Sequence, residues 1–123
     1  MECIYKQDAG SLVNLYTKDG MVLAPTAPPI QGSLTIEAFW QSAIDKGLVK
    51  AELQTMDLEG DHNKLNEIGK YTLYDKNDNI LDIGKYLIIW ENENGKWLMS
   101  KDMFNTSMKK PSRLYEWEKA YLF

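Results

Sequence analysis

Hydrophobic positions change their period near residue 48, and that change divides the chain. Before it, apolar residues recur at helical spacing. Asp8 is placed to cap a first helix carrying Ala9, Leu12, Val13 and Tyr16, with Leu15 beside them. Asp19-Gly20 reads as its stop, and Met21–Ala24 as a short strand. Pro25, Pro28 and Pro29 cannot donate ladder hydrogen bonds, which marks a loop or an edge. Ser33 is the expected cap of a second helix. Ile36, Phe39, Trp40, Ala43 and Ile44 form its apolar stripe, and Gly47 ends it.

After Leu48 the alternation is two. Four strands are predicted, over Val49–Leu58, Leu65–Tyr74, Ile80–Trp90 and Trp97–Phe104. Their connectors, around Gly60-Asp61-His62-Asn63, Asp75–Asn79 and Asn92–Gly95, are short and turn-rich, so the strands form a meander of antiparallel hairpins. Gly69 and Gly84 fall inside strands, where glycine often marks a bulge or bend that curves a sheet. No internal repeat or low-complexity segment stands out. The fold class is therefore α+β: a strongly curved antiparallel sheet covered by short helices, with a central apolar pocket.

The strand Ile80–Trp90 carries Tyr86, Ile88 and Trp90 on one face and Ile83, Leu87 and Ile89 on the other. A strand apolar on both sides is covered on both sides. Helices cover one face, and a second copy of the chain is expected on the other, giving a homodimer through the sheet. A loop or the C-terminal tail packed there is the alternative. In that tail, Ser112 could cap a last helix bearing Leu114, Trp117, Tyr121 and Leu122, so residues 107–123 read as an extension of a single domain spanning 1–123.

Composition narrows the partners. A net charge of −4 argues against nucleic acid, which requires a cationic surplus, and the Lys109-Lys110 and Arg113 cluster reads as a solvated stretch. No apolar run approaches a membrane span. One cysteine, Cys3, excludes an intrachain disulfide, and no signal peptide is visible, which together suit the cytoplasm. One histidine, His62 in a turn, and one cysteine leave no zinc site, and no glycine-rich phosphate loop is present. No cofactor or metal is implied.

Several segments in order suggest a family. They are Leu15–Asp19, Pro29-Ile30-Gln31-Gly32, Phe39-Trp40, Glu67–Tyr71, Gly84–Trp90, Gly95-Lys96-Trp97 and Asp102-Met103-Phe104-Asn105. Together they resemble the nuclear-transport-factor-like, ketosteroid-isomerase-like cone fold, and within it SnoaL-like proteins. The resemblance covers residues 8–106. It implies a domain that binds a small apolar molecule, with cofactor-free isomerase, cyclase or dehydratase chemistry as one use and a non-catalytic dimerisation or ligand-sensing module as the alternative. Such proteins have a long first helix along one wall of the cone, for which only Met1–Gln7 remains. Either the native start lies upstream, or something else fills the groove: Leu114–Phe123, from its own or a neighbouring copy, is the candidate, with a tail packed elsewhere on the surface as the alternative.

Chemistry of that kind needs a buried carboxylate base and a donor for an oxyanion. Asp102, a charge amid the apolar last strand, is the first candidate base, with Asn105 placed to orient a ligand or the carboxylate. Glu67, on one face with Tyr71, is the second. Either could be purely structural: Asp102 held by backbone or tyrosine, Glu67 paired with Lys85. Tyr16, Tyr71 and Tyr86 are candidate donors or ligand contacts, and Trp40 a candidate pocket wall. Trp90 and Trp97 could line the pocket or an interface, and all these aromatics could equally be core.

Overall fold

The computed structural model describes residues 2–6, 8–109 and 113–115. In chain order the elements are β1 (Glu2–Lys6), α1 (Ala9–Val13), β2 (Tyr16–Leu23), β3 (Ile30–Gln31), α2 (Ser33–Asp45), β4 (Lys50–Gly60), β5 (Lys64–Tyr74), β6 (Ile80–Glu93), β7 (Lys96–Thr106) and a 3₁₀ turn, Arg113–Tyr115. The strands form one curved, unclosed sheet in the order β1-β4-β5-β6-β7-β2-β3. The meander β4–β7 is antiparallel as the alternation predicts. The sheet as a whole is mixed, because β2 lies parallel to β7.

Both helices lie on the concave side. Asp8 caps α1, accepting from the Ser11 amide at 3.2 Å and the Ser11 hydroxyl at 2.8 Å. α1 nevertheless ends at Val13, and Tyr16 opens a strand rather than closing a helix. The Asp19-Gly20 pair, which reads as a helix stop, lies where the β2–β7 register slips between Tyr16 and Met21. A side chain at Gly20 would press on the Thr17 and Met99 carbonyls, so glycine serves a tight strand irregularity. α2 is capped by Gly32, not Ser33: Gly32 holds φ at 89°, where an L side chain is strained. Its inward stripe buries Ile36, Phe39 and Ala43, each contributing about 1.5–3 kcal/mol if it carries a large side chain.

The centre of the sheet holds a repeat that a search for longer periods passes over. Glu67-Ile68-Gly69-Lys70-Tyr71 on β5 is answered by Asp82-Ile83-Gly84-Lys85-Tyr86 on β6. The two pentapeptides run antiparallel, with Gly69 opposite Tyr86, Lys70 opposite Lys85 and Tyr71 opposite Gly84. A Cβ at either glycine would collide with the facing tyrosine ring. The glycines thus make room for rings and are not bulges. The extra residues that break register in the meander are Met56 in β4, Leu81 in β6 and Ser100 in β7. Each tyrosine crosses the other's glycine to reach the other's carboxylate: Tyr71 donates to Asp82 at 2.7 Å, and Tyr86 donates to Glu67.

Two expectations about the ends change. The backbone of 2–6 is a strand paired antiparallel with β4, not the remnant of a wall helix. Of the expected C-terminal helix, residues 110–112 and 116–123 lie outside the described residues. Arg113–Tyr115 forms a 3₁₀ turn against α2, with Leu114 and Tyr115 buried in the core.

Candidate functional site

Alternation along β5, β6 and β7 sends one set of side chains to the concave face. Glu67, Ile88 and Asp102 occupy one cross-strand row there, and Gly69, Tyr86 and Phe104 the next. Against this face α1 sets Leu12, the turn after it Leu15, and α2 Trp40 and Ile44. Between the layers lies a cavity of about 80 Å³ that opens to solvent at its mouth. Leu48–Ala51 and Leu53 form one side, Tyr71, Leu73, Tyr86, Ile88 and Phe104 the floor, and Tyr16, Met99 and Asp102 the far wall. The lining is almost wholly apolar.

Asp102 is the polar exception. It is 7% exposed. Tyr16 donates to its Oδ2 at 2.6 Å, and Trp40 Nε1 donates to the Tyr16 hydroxyl at 3.1 Å. Oδ1 accepts no hydrogen bond among the described residues. Burial pushes the carboxyl up to about 6, the Tyr16 hydrogen bond holds it down in part, and the nearby Glu67 charge raises it further. Trp40 stacks on Phe104, with ring centres 6.0 Å apart at 18°.

Glu67 is satisfied from three sides. Thr55 Oγ1 donates to Oε2 at 2.7 Å, Trp90 Nε1 donates to Oε1 at 2.9 Å, and Tyr86 donates to Oε2. It does not line the cavity. The expected Glu67–Lys85 pair does not form, because Lys85 is on the convex face with Nζ 3.3 Å from Ser107 Oγ. Asn105 is likewise convex and exposed, opposite Lys85, so it cannot orient a ligand or Asp102. Two-residue alternation points Asp102 and Phe104 inward instead. Trp90 serves Glu67 and is half-buried.

A third carboxylate escapes the sequence reading. Asp82 is fully buried and accepts from Tyr71 at 2.7 Å, from Thr106 Oγ1 at 2.6 Å and from Tyr115. Burial raises both the Tyr71 and Tyr115 hydroxyls, keeping them protonated donors. The signal was present: Asp82 shares parity with Tyr86, Ile88 and Trp90, and it heads the second pentapeptide. The tyrosines expected as oxyanion donors are therefore committed. Tyr16 serves Asp102, Tyr71 serves Asp82 and Tyr86 serves Glu67.

Among the described residues no cluster of three or more His, Cys, Asp or Glu is placed to hold a metal ion. No helix among them is long and apolar enough to cross a membrane.

No protein-family model matches the chain, and no curated protein matches it. Solved structures do. A protein of unknown function from Mycobacterium tuberculosis aligns at TM-score 0.66 and 18% identity over 81% of this chain, which spans 60% of that protein's length. A ketosteroid isomerase-like protein from Erwinia carotovora atroseptica aligns at TM-score 0.68 and 13% identity, covering 82% of each chain. An NTF2-like protein with a cystatin-like fold from Novosphingobium aromaticivorans aligns at TM-score 0.65 and 11% identity, over 89% of this chain and 77% of its own. At such identities the likeness speaks for architecture alone. The chain has the fold of the ketosteroid-isomerase-like and NTF2-like proteins, a curved, unclosed mixed sheet with two helices on its concave side.

Proposed function

We propose that this domain binds a small, mainly apolar molecule in the concave cavity, with Asp102 as its polar anchor. One observation carries the reading. Asp102 is buried on the cavity wall with one oxygen held by Tyr16 and the other without a hydrogen bond among the described residues. A buried acceptor left unmatched costs about 1–3 kcal/mol, and an occupant bearing a donor removes that cost. A panel of small aromatic and alicyclic compounds, scored by thermal shift and tryptophan fluorescence, tests it. Compounds that bind should raise Tm, and Leu53→Trp, which fills the cavity, should abolish the shift. A panel without effect, or an undiminished response in Leu53→Trp, would overturn the reading.

A second reading is cofactor-free proton transfer. It is favoured by the Asp102 carboxyl, which at about 6 suits a base at neutral pH. Asp102 would take a proton from a carbon beside a carbonyl, the electron pair would move to the carbonyl oxygen, and the proton would return to another carbon. Binding takes precedence because each lining tyrosine hydroxyl already donates to a carboxylate, leaving the oxyanion without a dedicated donor.

The same reading includes a homodimer. Ile68, Leu87 and Met103 share one convex row and are 42%, 36% and 47% exposed, with Ile83 nearby. Exposed acids Asp57 and Glu59 lie on β4 and exposed Lys101 on β7. A two-fold axis along the strands between β5 and β6 sets the acidic strand of one copy over the basic strand of the other.

A further inference from the structure

We propose that the occupant of the cavity is a protonated organic amine, its ammonium on Asp102 Oδ1 and its apolar body among the aromatic rings. This rests on the ligand-site reading above and names the class of ligand.

The cavity offers acceptors and ring faces, not donors. The hydroxyl protons of Tyr16, Tyr71 and Tyr86 are each directed onto a carboxylate, and Trp40 Nε1 is directed onto Tyr16. Among the described lining residues, an incoming carboxylate, phosphate or carbonyl oxygen finds no hydroxyl or indole donor left for it. An incoming N–H finds Asp102 Oδ1.

Charge selects in the same direction. Asp102, Glu67 and Asp82 all stand on the concave face, and the partners that they show are hydroxyl and indole donors, not cations. Lys50 is the one cation among the described lining residues. Its ammonium is spent outside, 3.1 Å from Asp78 and 4.5 Å from the centre of the Tyr74 ring. A buried carboxylate with no cationic partner is the half of an ion pair whose counter-ion has to arrive from solution.

The walls suit a cation. Trp40 and Phe104 are stacked, and Tyr71 meets Phe104 edge-on at 5.6 Å. Faces of Trp, Tyr and Phe attract ammonium groups, most strongly where water is excluded. A neutral alcohol of the same shape would gain the hydrogen bond but neither the ring attraction nor the charge pairing.

The test uses the full chain at pH 7.5 and three apolar bodies: benzyl, naphthylmethyl and adamantylmethyl. Each is offered as amine, alcohol and carboxylate, with affinity read by calorimetry. The best amine should bind about tenfold or more tighter than its alcohol, and its carboxylate should not bind measurably. Asp102→Asn should erase the amine's advantage over its alcohol. Trp40→Leu should weaken the amine more than the alcohol. Alcohols that equal or exceed the amines would overturn the amine assignment and leave the ligand site standing. If none of the nine compounds binds, the amine assignment and the ligand site fall together. The wild-type series decides between these outcomes even should a variant fail to fold.

Discussion

The ring of Tyr86 lies on the backbone of Gly69, and two residues along the same pair of strands the ring of Tyr71 lies on Gly84. The two contacts are related by the local symmetry of the paired pentapeptides. Each places a phenol over a bare backbone and carries its hydroxyl to a carboxylate on the far side.

Gly69→Ala should therefore be severe. The new methyl would meet both the Tyr86 ring and the Gln54 carbonyl, and neither can withdraw without breaking a strand pair or the Tyr86–Glu67 bond. The expected loss is about 2–4 kcal/mol in urea unfolding, at the upper end of what overpacking costs. A loss below about 1 kcal/mol would mean that the ring does not lie where described.

Asp102→Asn should do the opposite at neutral pH. The carboxyl is raised from 3.8 to about 6 by burial, with the Glu67 charge adding to the rise and Tyr16 opposing it. Below about pH 4 folded and unfolded chains both hold the proton, so the two proteins differ little. Between about 4 and 6 the folded state alone keeps it, and wild-type stability falls as pH rises. Above about 6 the penalty is complete, on the order of 3 kcal/mol. The variant escapes it, so its advantage in Tm should grow from pH 4 to pH 6.5 and then level off. A pH-independent difference would contradict this.

Tyr115→Phe removes one of three donors from a carboxylate with no access to water. Tyr71 and Thr106 remain. The expected cost is about 1–3 kcal/mol by chemical denaturation, with the fold retained. An unchanged midpoint would show that Asp82 needs only the two donors from the sheet.

Leu87→Lys tests the convex face. It adds a charge at the middle of the row Ile68–Leu87–Met103 without touching the cavity. Light scattering should show wild type as a dimer at micromolar concentration and the variant as a monomer. A monomeric wild type would dispose of the homodimer.

The meander was legible in the sequence because alternation and turn residues agree there, and the four strands fall within a few residues of their expected bounds. α2 was legible for the same reason, since its stripe and its terminal glycines coincide. Tyr16 was misread. Leu12, Val13 and Tyr16 have helical spacing, and Asp19-Gly20 imitates a helix end, yet pairing with a strand more than 80 residues later overrides local preference. Asp102 and Glu67 were visible as charges on apolar faces. Which partner each would take was not, because that depends on curvature bringing Tyr16 and Trp90 within reach. Asn105 failed by parity alone: an odd number of residues from Asp102 along a strand places it on the other face.

The hydrogen bond at the heart of the site, Tyr16 to Asp102, joins residues 86 apart in the chain. Closing so long a loop costs more chain entropy than closing any of the β4–β7 hairpins. No partly folded state lacking the β2–β7 pairing can hold Asp102 in its bound geometry. On the ligand-site proposal, occupancy of the cavity would be a readout of complete folding. A ligand would act on the domain as a whole, drawing the long-range strand pairing toward its finished state by mass action.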